Sequence, residues 1–368
     1  MRKTTTSGYG KAIKIVSLVA IWSILALALP QVSLELGVFA SAAPENSENF
    51  ECPASDLASD RPALNTGCDV GPYAMEGAVQ NCIDMGIRRC WYTLDASKDA
   101  SKNEPAPLLI AMHGFNSCPK KYNEYSKWSQ LAQREGFILV FPLGNVEKEY
   151  SDYSCFNAGS LLVHCAKSNG SQHGSQYQYP NIPDVEFLQQ LIGNVVAETP
   201  NVDLRRIYVT GHSNGCAMAQ RLVSEAGGAI AALSCHSSPL VTRQLPGTSE
   251  GYRATPIQIF HGDADRTVRY QGAAYPHAIV NVDRWARANG CKRSHKYQDD
   301  SGSYTTHAHD ECHDGVRVEL VQLHDVGHRP FRGQGGCQID TTSMAWGFLT
   351  QFQNSGTPNI PSAKAKVC

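Results

Sequence analysis

The pentapeptide Gly211-His212-Ser213-Asn214-Gly215 constrains this 368-residue chain more than any other feature. It matches the G-x-S-x-G pattern, in which a serine sits on a sharp turn between a strand and a helix. The flanks agree: Arg206 to Thr210 reads as a short buried strand, and Ala217 to Val223 continues as a helix. Such a turn strains the serine backbone and lifts Oγ clear of the sheet. It also leaves the hydroxyl at a helix N-terminus, where developing negative charge is favoured. Only small neighbours let the turn close, which accounts for the two glycines.

A serine alone is a poor nucleophile; it needs a base, and the base needs an orienting acid. After a turn of this kind they follow in the order acid, then histidine, each in a loop beyond a strand. Ile257 to Phe260 reads as a strand and runs into His261-Gly262-Asp263-Ala264-Asp265. Val316 to Leu323 reads as another and runs into His324 and then Val326-Gly327-His328. The expected set is Ser213, Asp265 and His328. Asp263 lies nearer its strand end and His324 abuts its strand; these are the alternatives the sequence leaves open. Two backbone N–H groups should face the developing oxyanion. One is expected from Asn214, the other from Phe115, in the His113-Gly114-Phe115 loop after the apolar run Leu108 to Met112. This chemistry requires no cofactor and no metal. His307, His309 and His313, beside Asp310, Glu311 and Asp314, fit no common ligand spacing and read as a solvated loop.

From Ile87 onward strand and helix patterns alternate, which predicts a mostly parallel sheet with helices on both faces. Arg88 to Leu94 and Phe137 to Phe141 are further strands, the latter closed by Pro142. Tyr125, Trp128, Leu131 and Ala132 form one helical stripe ending at Gly136. Val185, Leu188, Ile192 and Val195 form another behind Pro183-Asp184, and Ser343 to Phe352 reads as a closing helix. Residues 146–182 read as one long loop, carrying the glycosylation sequon Asn169-Gly170-Ser171.

The ends of the chain point to export. Arg2, Lys3, Lys11 and Lys14 precede the apolar run Ile15 to Leu29, and Ala40-Ser41-Ala42 offers a cleavage site. Residues 1–42 therefore read as a signal peptide, since the run is shorter than the ~20 residues a spanning helix needs; a retained membrane anchor is the alternative, because Pro30 to Ala40 is long for the segment before a cleavage site. Residues 43–85 read as an irregular, cysteine-containing extension, and residues 86–368 as the catalytic domain. All 13 cysteines lie beyond the signal, which in an exported chain predicts disulfides; the odd count leaves at least one thiol unpaired. Cys155 with Cys165, and Cys291 with Cys312, are the pairings suggested by proximity, and Cys216 is placed for a disulfide or a packed thiol. A net charge of −2, evenly mixed, argues against nucleic acid or an anionic membrane as partner.

Several stretches resemble the esterase family that groups polyhydroxybutyrate depolymerases with feruloyl and acetylxylan esterases. They are Pro107 to Gly114, Gly136 to Pro142, Pro183 to Leu188, the elbow through Met218 and Arg221-Leu222, and His261-Gly262 with Asp265 and Val268. The resemblance runs from about Arg88 to Phe352. It implies an α/β-hydrolase fold, Asp265 as the acid, His328 as the base, and ester substrates attached to polysaccharide or forming a polyester. Apart from the resemblance, removal of the signal segment would leave no stable membrane association. The chain departs from the family at Cys216, where a second glycine is usual, and at Arg329-Pro330, where Trp-Pro often follows the histidine. A serine peptidase on the same fold, or a non-catalytic binding protein, are the rival readings.

Overall fold

The computed structural model describes residues 75–97, 105–145, 154–159, 182–242, 245–249, 252–273 and 275–355, with short pieces beyond Gly356. The proposed signal segment, residues 43–74, Cys165 and the Asn169 sequon lie outside the described residues.

Among the described residues ten strands form one sheet. They are β1 (Val79–Asp84), β2 (Arg88–Asp95), β3 (Ala106–Met112), β4 (Ile138–Pro142), β5 (Val202–Gly211), β6 (Ala232–His236), β7 (Ile257–Gly262), β8 (Arg293–Gln298), β9 (Tyr304–Asp310) and β10 (Val318–Leu323). Six α-helices accompany them among the described residues: α1 (Pro119–Ser126), α2 (Trp128–Glu135), α3 (Asp184–Glu198), α4 (Asn214–Ala226), α5 (Ala278–Ala288) and α6 (Thr341–Leu349). The strand order is β1-β2-β4-β3-β5-β6-β7-β10-β9-β8. From β4 to β10 every neighbour is parallel; β1, β2, β8 and β9 add antiparallel edges.

The period of two along β3 explains why helices cover both faces. Leu108, Ile110 and Met112 join one core with Phe187, Leu191, Met218, Leu222 and Trp285, so α3, α4 and α5 share that face. Leu109 and Ala111 join the other with Tyr122, Trp128, Leu131, Ala345 and Leu349 of α1, α2 and α6. Every residue of β3 is buried, and truncating Leu109 or Ile110 to alanine there should cost about 2–5 kcal/mol.

Several elements differ from the sequence expectation. The single helix around Trp128 is two helices, broken at Lys127, whose φ of 60° is left-handed. Strand β1 falls within the segment read as irregular extension; it pairs with β2, and a Cys82–Cys90 disulfide crosses the pair. His307 and His309 lie on β9, not in a solvated loop, because β8 and β9 form an antiparallel hairpin at the sheet edge. The Cys291–Cys312 disulfide is present, Cys216 is bonded to Cys235, and Cys337 is a buried free thiol. Among the described residues no helix is long and apolar enough to cross a membrane.

Candidate active site

Strand β5 delivers the chain to the elbow, and α4 leaves it. Ser213 stands between them at φ 54° and ψ −118°, a conformation L-residues avoid and one that persists only where its surroundings enforce it. Here they do. The Ser213 N–H donates to the carbonyl of His236 at the end of β6 (2.8 Å), and the His212 N–H donates to Met112 O at the end of β3 (3.1 Å). A Cβ on Gly215 would lie 2.2 Å from the Met112 carbonyl oxygen, and one on Gly211 would lie 2.5 Å from Gly215. No side chain fits at either position, so both glycines are fixed by close backbone approach.

The elbow meets two loops. His328 Nε2 lies 2.9 Å from Ser213 Oγ, and His328 Nδ1 lies 2.8 Å from Asp265 Oδ2. Asp265 is buried, and its other oxygen accepts the N–H groups of Thr267 (2.8 Å) and Val268 (2.9 Å). Burial alone would raise the pKa of this carboxyl. Hydrogen bonds from His261 and His328 outweigh it and hold Asp265 well below the usual carboxylate range. An ionised Asp265 keeps the proton of His328 on Nδ1 and leaves Nε2 free to accept the serine proton. In the sequence His261 stands only as part of the loop motif; its Nε2 lies 2.7 Å from Val268 O and 3.4 Å from Asp265 Oδ2.

The two loops are themselves locked together. A Cβ on Gly262 would lie 2.0 Å from Val326 O. The N–H of Ala264 donates to the same carbonyl (3.1 Å), and that of Asp263 donates to Leu323 O (3.0 Å). Asp263 and His324, the open alternatives, do not reach Ser213's partners; they bond to one another, 2.9 Å from Oδ2 to Nδ1.

Asn214 is the first residue of α4, so its N–H has no carbonyl one turn back to bond. Its side chain exchanges two hydrogen bonds with the backbone of Phe156, at 2.8 and 2.9 Å. The loop bearing Phe115 passes directly over the serine: a Cβ on Gly114 would lie 3.5 Å from Ser213 Cβ. His113 braces that loop, with Nδ1 2.7 Å from Gly114 O and Nε2 accepting the Gly144 N–H at 2.9 Å. Burial pushes the pKa of His113 down to about 4, so the brace is a neutral ring with its proton on Nδ1.

Two side chains at the site escaped the sequence reading. His212, at the variable position of the elbow, places Nε2 2.7 Å from the carbonyl oxygen of His328, and Tyr125 Oη lies 3.0 Å from His212 Nδ1. In the sequence Tyr125 falls on the apolar stripe with Trp128 and Leu131. The one available signal was a histidine inside a turn that must be buried, since a buried imidazole needs partners. No three His, Cys, Asp or Glu side chains among the described residues are grouped as a metal site would require.

Known proteins agree with this frame. The family model described as "Putative esterase" matches residues 95–320, a span that holds Ser213 and Asp265 and stops short of His328. A bifunctional acetylxylan esterase/xylanase of Neocallimastix patriciarum is 23% identical over 251 residues, covering 68% of this chain. The match takes up 32% of that relative, so this chain spans about a third of its length. The solved acetyl xylan esterase from Aspergillus awamori superposes with a TM-score of 0.51 at 16% identity, covering 73% of this chain and 99% of that one. At that identity the likeness establishes the fold, an α/β-hydrolase sheet. With the family model spanning more than half of the sequence, the chain belongs to that esterase family.

Proposed function

We propose that this chain is a secreted serine esterase that removes acyl groups, acetyl foremost, from polysaccharide. The observation that carries the reading is the unbroken line from Ser213 Oγ through His328 to Asp265, at 2.9 and 2.8 Å, on a strained elbow. Ser213 Oγ attacks the ester carbonyl while His328 takes its proton. The resulting oxyanion is met by the N–H groups of Asn214 and Phe115, and by the positive end of α4. Collapse breaks the acyl carbon–oxygen bond, and His328 returns the proton to the departing alcohol. Water then attacks the acyl-serine, His328 accepts its proton, and the acid leaves as Ser213 is reprotonated. Asp265 holds the imidazole throughout and remains ionised.

The acetyl preference rests on the two relatives named for acetylxylan, and the polysaccharide on the same names. Export is supported by the disulfides Cys82–Cys90, Cys216–Cys235 and Cys291–Cys312, since such bonds persist in oxidising compartments.

An ester panel tests the whole reading: acetylated xylan, a feruloylated oligosaccharide, a 3-hydroxybutyrate oligomer and a peptide amide, assayed with the parent and with Ser213→Ala. Acetate release from xylan should dominate, and Ser213→Ala should lower it by roughly 10³-fold or more. Preferred release of 3-hydroxybutyrate would move the chain to the polyester branch. Amide cleavage would make it a peptidase, and fluorophosphonate labelling of Ser213→Ala equal to the parent would remove Ser213 from the mechanism.

A further inference from the structure

Three groups grip His328, and only two of them belong to the mechanism above. Asp265 takes Nδ1 and Ser213 takes Nε2. The third is the ring of His212, the residue just before the nucleophile, which reaches the backbone carbonyl of His328 at 2.7 Å. The two imidazoles lie 4.9 Å apart, centre to centre.

The protonation of His212 follows from its partners. A carbonyl oxygen only accepts, so Nε2 must carry a proton. Burial, with the nearby His328, holds the ring well below its ordinary pKa, so it is neutral and Nδ1 is bare. Tyr125 must then be the donor to Nδ1, and burial raises its own pKa, which keeps the phenol proton in place. Tyr125 is seated in turn: its ring lies 5.2 Å from that of Phe331 and 5.5 Å from that of Tyr122, with the Arg329 guanidinium 5.4 Å away. A directed chain therefore runs from Tyr125 O–H to His212, and from His212 N–H to the main chain of His328.

We propose that His212, oriented by Tyr125, is a positioning residue that registers the base His328 against the nucleophile next to it in sequence. One turn thus supplies both the attacking oxygen and the hold on the residue that must deprotonate it. Ser213 and the base sit on separate loops, and a displacement of about 1 Å between such groups can cost 10²-fold in rate. The hydrogen bond to a main-chain carbonyl leaves both ring nitrogens of His328 free for their catalytic contacts. The inference rests on the assignment of Ser213 and His328 as nucleophile and base.

The two nitrogens of His212 can be separated by substitution. In His212→Gln the amide nitrogen falls near the place of Nε2 and can still donate to His328. In His212→Asn the amide falls near the place of Nδ1, so it keeps Tyr125 and loses His328. With a soluble acetyl ester, His212→Gln should retain kcat within about fivefold, whereas His212→Asn should lose about 10²-fold, with KM little changed in both. Equal kcat values in the two variants, or a change confined to KM, would overturn the proposal. Tyr125→Phe guards against an unfolded variant, because it is nearly isosteric and frees His212 to adopt the wrong tautomer. It should lower kcat by roughly tenfold, the effect of one hydrogen bond, and an unchanged kcat would equally overturn the proposal. Fluorophosphonate labelling of the parent separates the two layers. If Ser213 is not the labelled residue, the assignment of the nucleophile has failed; if it is labelled and His212→Asn turns over normally, the positioning role has failed.

Discussion

Nδ1 of His324 lies 2.9 Å from Oδ2 of Asp263, so the same two loops that carry Asp265 and His328 carry a second, outer aspartate–histidine pair. The outer pair is about a quarter exposed on each side, while the Asp265 side chain has no exposed surface. Asp263 also accepts the N–H of Asp325 (2.8 Å) and of the Gln322 amide (3.1 Å), and His324 Nε2 faces Thr305 Oγ1 at 2.9 Å. These bonds tie the two loops to each other and to strands β9 and β10, and none points at Ser213.

The outer pair should therefore act on stability and barely on rate. Asp263→Asn and His324→Ala should each lower the unfolding free energy by about 1 kcal/mol, the range of a partly exposed ion pair or hydrogen bond. Their kcat should stay within roughly threefold, whereas Asp265→Asn should drop it by about 10⁴-fold through loss of the required tautomer. Steady-state kinetics beside urea melts would show it. A loss of kcat in Asp263→Asn comparable to that in Asp265→Asn would reverse the assignment of inner and outer pairs.

How much of this was legible in the sequence divides along physical lines. The elbow, β3 and β4 are local signals: small residues around a serine, and unbroken apolar runs that must be buried on both faces. Strand β8 reads Arg-Ser-His-Lys-Tyr-Gln and is exposed at every position, so it carries no burial pattern to detect; only its register with β9 makes it a strand. Strand β6 is short, and it follows a glycine pair that reads as a break. Choosing between Asp263 and Asp265 depended on how two loops meet, which no single stretch encodes. The same holds for His212 and Tyr125, which lie 87 positions apart and meet across the elbow.

Acid should destabilise the fold through histidines that are neutral inside it. Burial pushes His113 down to about 4 and His236 to about 3, and His212 well below its ordinary value. Unfolded, each would titrate near 6.5. Between pH 6.5 and the folded pKa the unfolded chain binds more protons than the native one, so stability falls as pH falls through that window. Each histidine contributes up to about 1.4 kcal/mol per pH unit there. Asp265 acts in the same direction at lower pH, because its depressed pKa favours the folded state only while it is ionised. Urea unfolding at pH 7.5, 6.5 and 5.5 measures the slope; a flat profile from 6.5 to 5.5 would mean that these rings are protonated in the native state.

Disulfides should account for most of the cysteine content. Eight of the described cysteines are disulfide-bonded, and Cys337 is free and buried. Thiol titration of denatured, unreduced protein should find Cys337 and few others. The Cys216–Cys235 bridge joins the first turn of α4 to β6 across a separation of 19 residues, and replacing both by alanine should cost about 3 kcal/mol. Titration of ten or more thiols, roughly the full reduced complement, would contradict the oxidising compartment on which the export reading depends.

Gly262 offers the sharpest test of how Asp265 and His328, the proposed acid and base, are held together. It ends β7 opposite Leu323 of β10, and both chains turn immediately afterwards, one towards Asp265 and the other towards His328. At this crossing the backbones touch, so a Cβ would sit 2.0 Å from Val326 O and 2.8 Å from Gly327 O. Neither neighbour is a flexible side chain that could swing away, and both distances are shorter than any a real Cβ keeps from a backbone oxygen. Gly262→Ala must therefore push the two loops apart by an ångström or so, stretching the contact between His328 and Asp265, or that between His328 and Ser213. We expect kcat to fall by 10²-fold or more, with stability reduced by about 1–3 kcal/mol from overpacking. Gly347→Ala is the matched control. Gly347 lies on the exposed side of α6 with nothing within 4 Å of an added Cβ, so alanine there should leave kcat alone. It should also add roughly 0.5–1 kcal/mol by favouring the helix. Comparable kcat values for Gly262→Ala and Gly347→Ala would show that the loops can separate without disturbing Ser213, Asp265 and His328, and that close packing at Gly262 is not what sets their geometry.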